Sequence, residues 1–233
     1  MSKLTAKAKD GAAGWPTEIA GVSLDVFRFE IAGRGWDIRA GKDHASIMGV
    51  CDDFVAFPFG LLLWESAVVL AEALAEARDT VAGKTVLELG AGVGLPGIMA
   101  RYLGAASVLQ TDHVSEALAM CRMNAAANGV TGVDTALANW DAWRNERTYD
   151  LIIASDVIYE RQAHAPLAAI LERNLGVGGR AVLTDPGRQD TPLFLEDMVA
   201  RGWRSNVTRR PTPSMMPGGI EVVGVDIIEL TRD

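Results

Sequence analysis

Val86-Leu87-Glu88-Leu89-Gly90-Ala91-Gly92-Val93-Gly94-Leu95-Pro96-Gly97 is the stretch on which the reading of this chain turns. A short apolar strand pattern enters a loop with glycine at 90, 92 and 94, and a helical pattern follows. Strand, glycine loop and helix form the opening unit of an open α/β sheet, where ligands bind beyond the carboxyl ends of the strands. Glycine there lets the backbone turn tightly and lets a ligand come close.

Strand and helix alternate from this point toward the C-terminus. Residues 107–111 read as a strand. Residues 115–128 read as a helix stopped by Gly129 in the manner of a left-handed cap. A weak strand over 133–138 and a strongly apolar one over 151–154 follow. A helix is expected from Pro166 to Leu175, ended by Gly176, Gly178 and Gly179, and a strand over 181–184. Thr191-Pro192 opens a helix as N-cap and N1 proline, and it runs to Arg201-Gly202. Residues 203–208 and 220–230 close the chain as strands. Counted from Val86, this makes seven strands. The first five alternate with helices, which predicts a mostly parallel sheet covered on both faces. The last two are joined by the Pro/Gly-rich segment 211–219, which predicts an antiparallel edge.

On the N-terminal side, Leu63, Ala67, Leu70, Leu74 and Ala77 carry the spacing of an amphipathic helix. Before it, Phe27, Phe29 and Ile31 alternate with polar residues, and Trp36 and Ile38 resume the alternation after a turn at Gly33-Arg34-Gly35. That is a β-hairpin with one buried face. Residues 1–14 are small and lysine-bearing, without periodicity, and read as a mobile tail. The expectation is an α/β, Rossmann-like single domain over 15–233. Residues 15–78 form its hairpin-and-helix extension and 79–233 its seven-stranded core.

Composition narrows the function. The chain has 233 residues, 30 acidic against 22 basic, for a formal charge of −8. That argues against a nucleic-acid binder relying on bulk positive charge, and Arg204, Arg209 and Arg210 read as a solvated face. A hydrophobic content of 49% excludes a disordered chain. Cys51 and Cys121 form no CxxC, and His44, His113 and His164 lack metal-ligand spacing, so no metal is expected. Two such cysteines fit a reducing compartment, the cytoplasm. The N-terminus has no apolar core of a secretory signal. The longest uncharged apolar run, residues 54–64, is too short to span a bilayer.

The glycine loop restricts the ligand. A dinucleotide fingerprint needs glycine at position 95, which is Leu95, and a Walker loop needs a Gly-Lys-Ser/Thr ending that is absent. Glu88 would repel phosphates but suits a ligand with ammonium and sulfonium groups, and S-adenosylmethionine has both. Asp112 ends the second strand, where a carboxylate can accept both ribose hydroxyls; the alternative is a helix-capping acid. Trp140, after Asn139 at the end of the third strand, can cover an adenine face or belong to the core. The fourth strand ends in Ala154-Ser155-Asp156-Val157-Ile158-Tyr159. Methyl transfer to an amine needs a neutral, aligned nucleophile. Asp156 can orient the amine and take its proton, and Tyr159 can wall the cationic product. The alternative is a strand-end acid satisfied by backbone N–H groups beside a core tyrosine.

These segments, with Phe59-Gly60-x-x-x-Trp64-Glu65, Thr111-Asp112 and Asn124, carry a resemblance over about residues 55–185. The chain resembles the seven-β-strand, S-adenosylmethionine-dependent methyltransferases, and among them the family-16 group of mostly protein-lysine methyltransferases. The resemblance implies that Trp64 and the glycine loop, Gly90, Ala91 and Gly92, contact the cofactor and that Asp112 holds its ribose; with the reading of the strand ends, the expected cofactor site also takes in Glu88, His113, Asn139, Trp140 and Ser155. The resemblance also implies that Asp156 and Tyr159 face the acceptor, a lysine of a partner protein. Asp185-Pro186-Gly187-Arg188 resembles the branch that methylates the electron-transfer flavoprotein β-subunit. Amide and nucleobase N-methyltransferases carry an Asn-Pro-Pro-Tyr type segment at the fourth strand; Asp156-Val157-Ile158-Tyr159 departs from it and disfavours those acceptors. A small-molecule amine remains the alternative acceptor, with Met215 and Met216 in the 211–219 loop to close over it. A non-catalytic binding scaffold is the alternative of another class.

Overall fold

The computed structural model describes residues 15–42, 59–215 and 222–232. The expected tail 1–14, His44, Cys51 and Met216 lie outside the described residues.

The alternating segment near the N-terminus folds as β1 (Glu18–Ile19), β2 (Val22–Ile31) and β3 (Arg34–Gly41), a three-stranded antiparallel sheet. Phe29 pairs with Trp36 and Phe27 with Ile38, which puts the apolar residues on one face as the period of two requires. The turn differs from the expected Gly33-Arg34-Gly35. Ile31 pairs directly with Arg34, so the turn is Ala32-Gly33, with φ of 56° and 69°. Two consecutive left-handed residues match the right-handed twist of the flanking strands, and Arg34 becomes the first residue of β3.

After a short 3₁₀ turn over Phe59–Leu61 come α1 (Glu65–Glu76), β4 (Thr85–Leu89), α2 (Leu95–Tyr102), β5 (Ser107–Asp112), α3 (Ser115–Ala127) and β6 (Val133–Leu137). Then follow β7 (Tyr149–Ser155), α4 (Arg161–Asn174), β8 (Leu175–Asp185), α5 (Thr191–Ala200), β9 (Arg204–Pro213) and β10 (Val222–Thr231). The last seven strands form one sheet in the order β6-β5-β4-β7-β8-β10-β9. β4 to β8 are mutually parallel, and β10 is antiparallel to both β8 and β9. This is the expected Rossmann-like architecture, with the reversed strand one place in from the edge.

Successive residues of β7 show how both faces are covered. Leu151 and Ile153 enter an apolar cluster with α1, α2, α3 and the N-terminal sheet, through Leu70, Ile98, Met120 and Trp36. Ile152 and Ala154 enter a second cluster with α4 and α5, through Leu167, Ile170 and Phe194. Helix α4 starts at Arg161, with Pro166 inside it, rather than at the proline. The buried stripe begins only at Leu167, while His164, in the polar first turn, meets the Ile158 carbonyl through Nε2 at 3.0 Å. Strand order reverses at β4, since β5 and β6 lie on one side of it and β7 and β8 on the other. The loop after β4 therefore opens at the switch point, where α/β sheets bind ligands.

Candidate active site

A cavity of about 570 Å³ sits over that switch point, within the range of small-molecule sites. The carboxyl ends of four adjacent strands feed it. Gly90, Ala91 and Gly92 come from the loop after β4, Asp112 and His113 from β5, Asn139 and Trp140 from beyond β6, and Ser155, Asp156 and Tyr159 from β7. Trp64, just before α1, completes the wall. Eleven of the twelve residues singled out in the sequence thus share one cavity.

Two glycines make the loop possible. Gly90 has φ of 63°, and a Cβ there would lie 2.9 Å from Val157 Cγ1. Gly92 has φ of 54°, and a Cβ would lie 3.2 Å from the Gly60 carbonyl oxygen. Bare backbone is what lets these two segments meet. Asp112 braces the same loop. Its Oδ2 accepts from the Gly92 N–H at 2.9 Å and its Oδ1 from the Val114 N–H at 2.9 Å. The latter holds the turn into α3: Val114 is that helix's N-cap residue, so the bond precedes the helix and Asp112 does not cap it. A carboxylate has about four acceptor sites, which leaves lone pairs for a ligand.

Glu88 departs from its expected place. It is fully buried and lies off the cavity. Its Oε2 accepts from Gln110 Nε2 at 2.6 Å and from the Gly97 N–H at 3.1 Å. A residue two before the loop shares the strand face of Val86, and that face is covered by α2. Burial pushes its carboxyl up to about 8, with the two hydrogen bonds pulling it partly back. Its role is to tie β4, β5 and the start of α2 together beneath the loop.

The end of the cavity beyond β7 is built around Asp156. Its backbone is left-handed, with φ of 52°, a conformation Asp tolerates better than most residues, and its N–H donates to the Thr184 carbonyl at 2.8 Å. Burial raises its carboxyl pKa, and hydrogen bonds from Arg188 offset part of that rise. Arg188 Nε donates to Oδ1 at 3.0 Å and Nη2 to Oδ2 at 2.7 Å. Sequence reasoning gave Arg188 no role beyond the branch motif, because its partner follows from β7 and β8 being neighbours. Tyr159 lies beside the pair, with its ring 6.2 Å from that of Phe59 and burial raising its hydroxyl pKa. Trp64 Nε1 donates to the Phe59 carbonyl at 3.1 Å, and Asn139 Oδ1 accepts from the Asp141 N–H at 2.9 Å. Glu65 Oε1 accepts from the Met215 N–H at 2.6 Å and Ser214 Oγ at 3.2 Å. Residues 211–213 of the expected loop are strand β9, and 214–215 are fastened to α1. Among the described residues, no group of three or more His, Cys, Asp or Glu is placed to hold a metal.

The sequence pattern of a family described as lysine methyltransferase matches residues 45–191, more than half of the chain. The chain belongs to the lysine methyltransferase family. It is 35% identical over 127 residues to a histone-arginine methyltransferase, METTL23, of Xenopus laevis, covering 52% of this chain and 54% of that protein. It is 30% identical over 132 residues to the electron transfer flavoprotein beta subunit lysine methyltransferase of Rattus norvegicus, covering 56% of this chain and 51% of that one. The chain thus spans about half the length of such curated relatives. Among solved structures, the ribosomal protein L11 methylase of Lactobacillus delbrueckii subsp. bulgaricus superposes with a TM-score of 0.53 at 24% identity, covering 72% of this chain and 76% of that one. That likeness concerns the fold. Lysine methyltransferase family and methyltransferase fold together imply S-adenosylmethionine as methyl donor. The cavity fits it. Its volume suits a small molecule, its loop is bare backbone, and Asp112 offers free lone pairs at the end of β5.

Proposed function

We propose that this chain transfers a methyl group from S-adenosylmethionine to the ε-amine of a lysine in a partner protein. What supports the reading most is that two unlike ends meet in one cavity. One end is the bare glycine loop with Asp112, and the other is Asp156 with Tyr159. Asp112 would take the ribose hydroxyls. The backbone of Gly90, Ala91 and Gly92 would border the amino-acid end, and Asn139 and Trp140 the base. Trp64, His113 and Ser155 would line the remaining wall. When bound, the donor supplies a methyl group made electrophilic by its sulfonium.

The remaining work falls to side chains of the chain itself. Asp156 would orient the incoming amine through its carboxylate oxygens and hold the proton that must leave. Its raised pKa favours that acceptance of a proton. Tyr159 and Phe59 would wall the methylated cation with aromatic faces, and the half-buried cavity would keep water from competing. The relative named for the electron transfer flavoprotein β-subunit, together with Asp185–Arg188, supports that subunit or a similar protein as acceptor. The free, buried thiol of Cys121 fits a cytoplasmic setting.

A second reading has its own observation. Asp156 already holds a guanidinium in a two-pronged grip, and one relative is named a histone-arginine methyltransferase, so an arginine acceptor is the competitor. Incubating the purified protein with cell lysate and methyl-labelled donor, followed by mass spectrometry, decides. Methyl-lysine in a protein is expected. Methylarginine would establish the second reading, and label confined to small molecules would overturn both.

A further inference from the structure

Both oxygens of Asp156 are occupied by Arg188. The partners differ in exposure: the Asp156 side chain is 6% accessible and that of Arg188 40%. The guanidinium is thus the more exposed partner and covers the acid from the solvent side, while Arg188 itself is not among the residues lining the cavity. Its Cζ lies 6.0 Å from the Tyr159 ring centroid. A cation on a buried carboxylate beside an aromatic face is the setting that a substrate ammonium would need.

The backbone of Arg188 is fastened. Asp185 Oδ1 accepts from the N–H groups of Gly187 at 2.8 Å and Arg188 at 2.7 Å, so what is left to swing is the side chain. Asp185 acts on both partners electrostatically, adding to burial in raising the Asp156 carboxyl pKa and to the Asp156 hydrogen bond in raising that of the Arg188 guanidinium. Two buried acids stripped of their guanidinium would be strongly unfavourable. Arg188 can leave Asp156 only when another cation, or a proton, takes its place on the acid.

We propose that Arg188 is a displaceable cap on Asp156, holding the seat of the substrate's cationic side chain until that side chain takes its place on the acid. This rests on reading Asp156 as the acceptor-binding acid. It makes Arg188 a specificity-determining residue. Neutral side chains cannot replace it, and stray small ammonium ions must compete with a two-pronged internal fork, which a single contact does poorly.

The test titrates n-butylammonium, a lysine side-chain probe, into the wild type, Arg188→Gln and Asp156→Asn, with 1-butanol as neutral control. Calorimetry reads the affinity. Arg188→Gln should bind butylammonium roughly tenfold tighter than the wild type or better, the scale of one charge-assisted hydrogen bond freed. Asp156→Asn should show no such gain, and 1-butanol should not distinguish the proteins. Unchanged or weaker butylammonium binding in Arg188→Gln would overturn the cap, as would an equal gain for 1-butanol. Should Arg188→Gln fail to fold by circular dichroism, Arg188→Lys replaces it. Lysine keeps the charge but not the fork, and a gain smaller than tenfold yet above the wild type is expected, its absence again overturning the proposal. S-adenosylmethionine calorimetry on the wild type runs alongside. No binding there would remove the methyltransferase reading, while the butylammonium contrast would still judge Arg188.

Discussion

Three buried acids within one region are held in three ways, and each way predicts a different mutant. Glu88 is sealed under the loop, and burial lifts its carboxyl from an ordinary value of 4.5 to about 8. Between those values the folded protein binds a proton that the unfolded chain has released. The stability Glu88 contributes is therefore full below about 4.5 and lost as pH rises through about 8. Glu88→Gln keeps an acceptor for Gln110 and Gly97 but cannot ionise. The variant should be the more stable one at pH 8, by on the order of 2 kcal/mol once its unpartnered amide is allowed for. Its melting temperature should fall less than that of the wild type over this range, and parallel pH profiles would refute the buried-proton reading. Asp112, by contrast, braces Gly92 and Val114 with both oxygens. Asp112→Ala should weaken S-adenosylmethionine binding by roughly 10- to 100-fold in calorimetry, the loss of a charged hydrogen-bonding group. Asp156 lies at the end proposed for the acceptor, so Asp156→Ala should abolish single-turnover methyl transfer and leave donor affinity within about twofold of the wild type. Full turnover in that variant would remove Asp156 from the chemistry.

At the scale of elements, the joint that matters is between the N-terminal sheet and the core, and two asparagines close it: Asn128 bonds the N–H and carbonyl of Asp37, and Asn124 reaches further in. Asn124 on α3 accepts from the Arg39 N–H at 2.8 Å through Oδ1, and its Nδ2 donates to the carbonyls of Arg39 and Val93 at 2.9 Å each. Three buried backbone groups on β3 and the glycine loop would lose their partner in Asn124→Ala. The cost should be about 3 kcal/mol, seen as a lower urea midpoint with an unchanged slope; a loss under about 1 kcal/mol would mean that water or repacking replaces the amide. Asn124 was visible in the sequence only as a motif residue, since nothing local tells an asparagine in a helix what lies across from it. The strands and most helix ends were legible because period and punctuation are local: Gly129 does stop α3, with φ of 63°, and Pro192 lies in the first turn of α5, although the N-cap is Asp190, one residue before the expected Thr191. What was not legible depends on neighbours distant in sequence. Glu88 points under α2 because β4 is buried on both faces, and a strand so apolar shows no alternation to mark its sides. Arg188 meets Asp156 because β7 and β8 are adjacent, and β10 slips between β8 and β9 because the antiparallel return has two edges to choose from.

For the whole molecule, the cavity is where separately packed parts converge. Its walls come from four strand ends, from the segment ahead of α1, and from the start of α4 at Gln162 and Ala163. The two apolar clusters lie on opposite faces of the sheet, so a ligand in this cavity touches segments anchored in both. Binding to the folded state alone must then raise the unfolding temperature of the entire chain. At a concentration one hundred times the dissociation constant the stabilisation is about 2.7 kcal/mol, or about 5–10 °C for a protein of this size. S-adenosylmethionine should produce that shift in a thermal melt. NAD should not, because Leu95 stands where the pyrophosphate fingerprint needs its third glycine. The contrast reaches beyond a simple binding test, because Asp112, at the end of β5, is the proposed ribose site for either ligand. Only the loop after β4 separates them. A rise with NAD and none with S-adenosylmethionine would mean that the loop accommodates a pyrophosphate, and the assignment of the cavity to a methyl donor would fall with it.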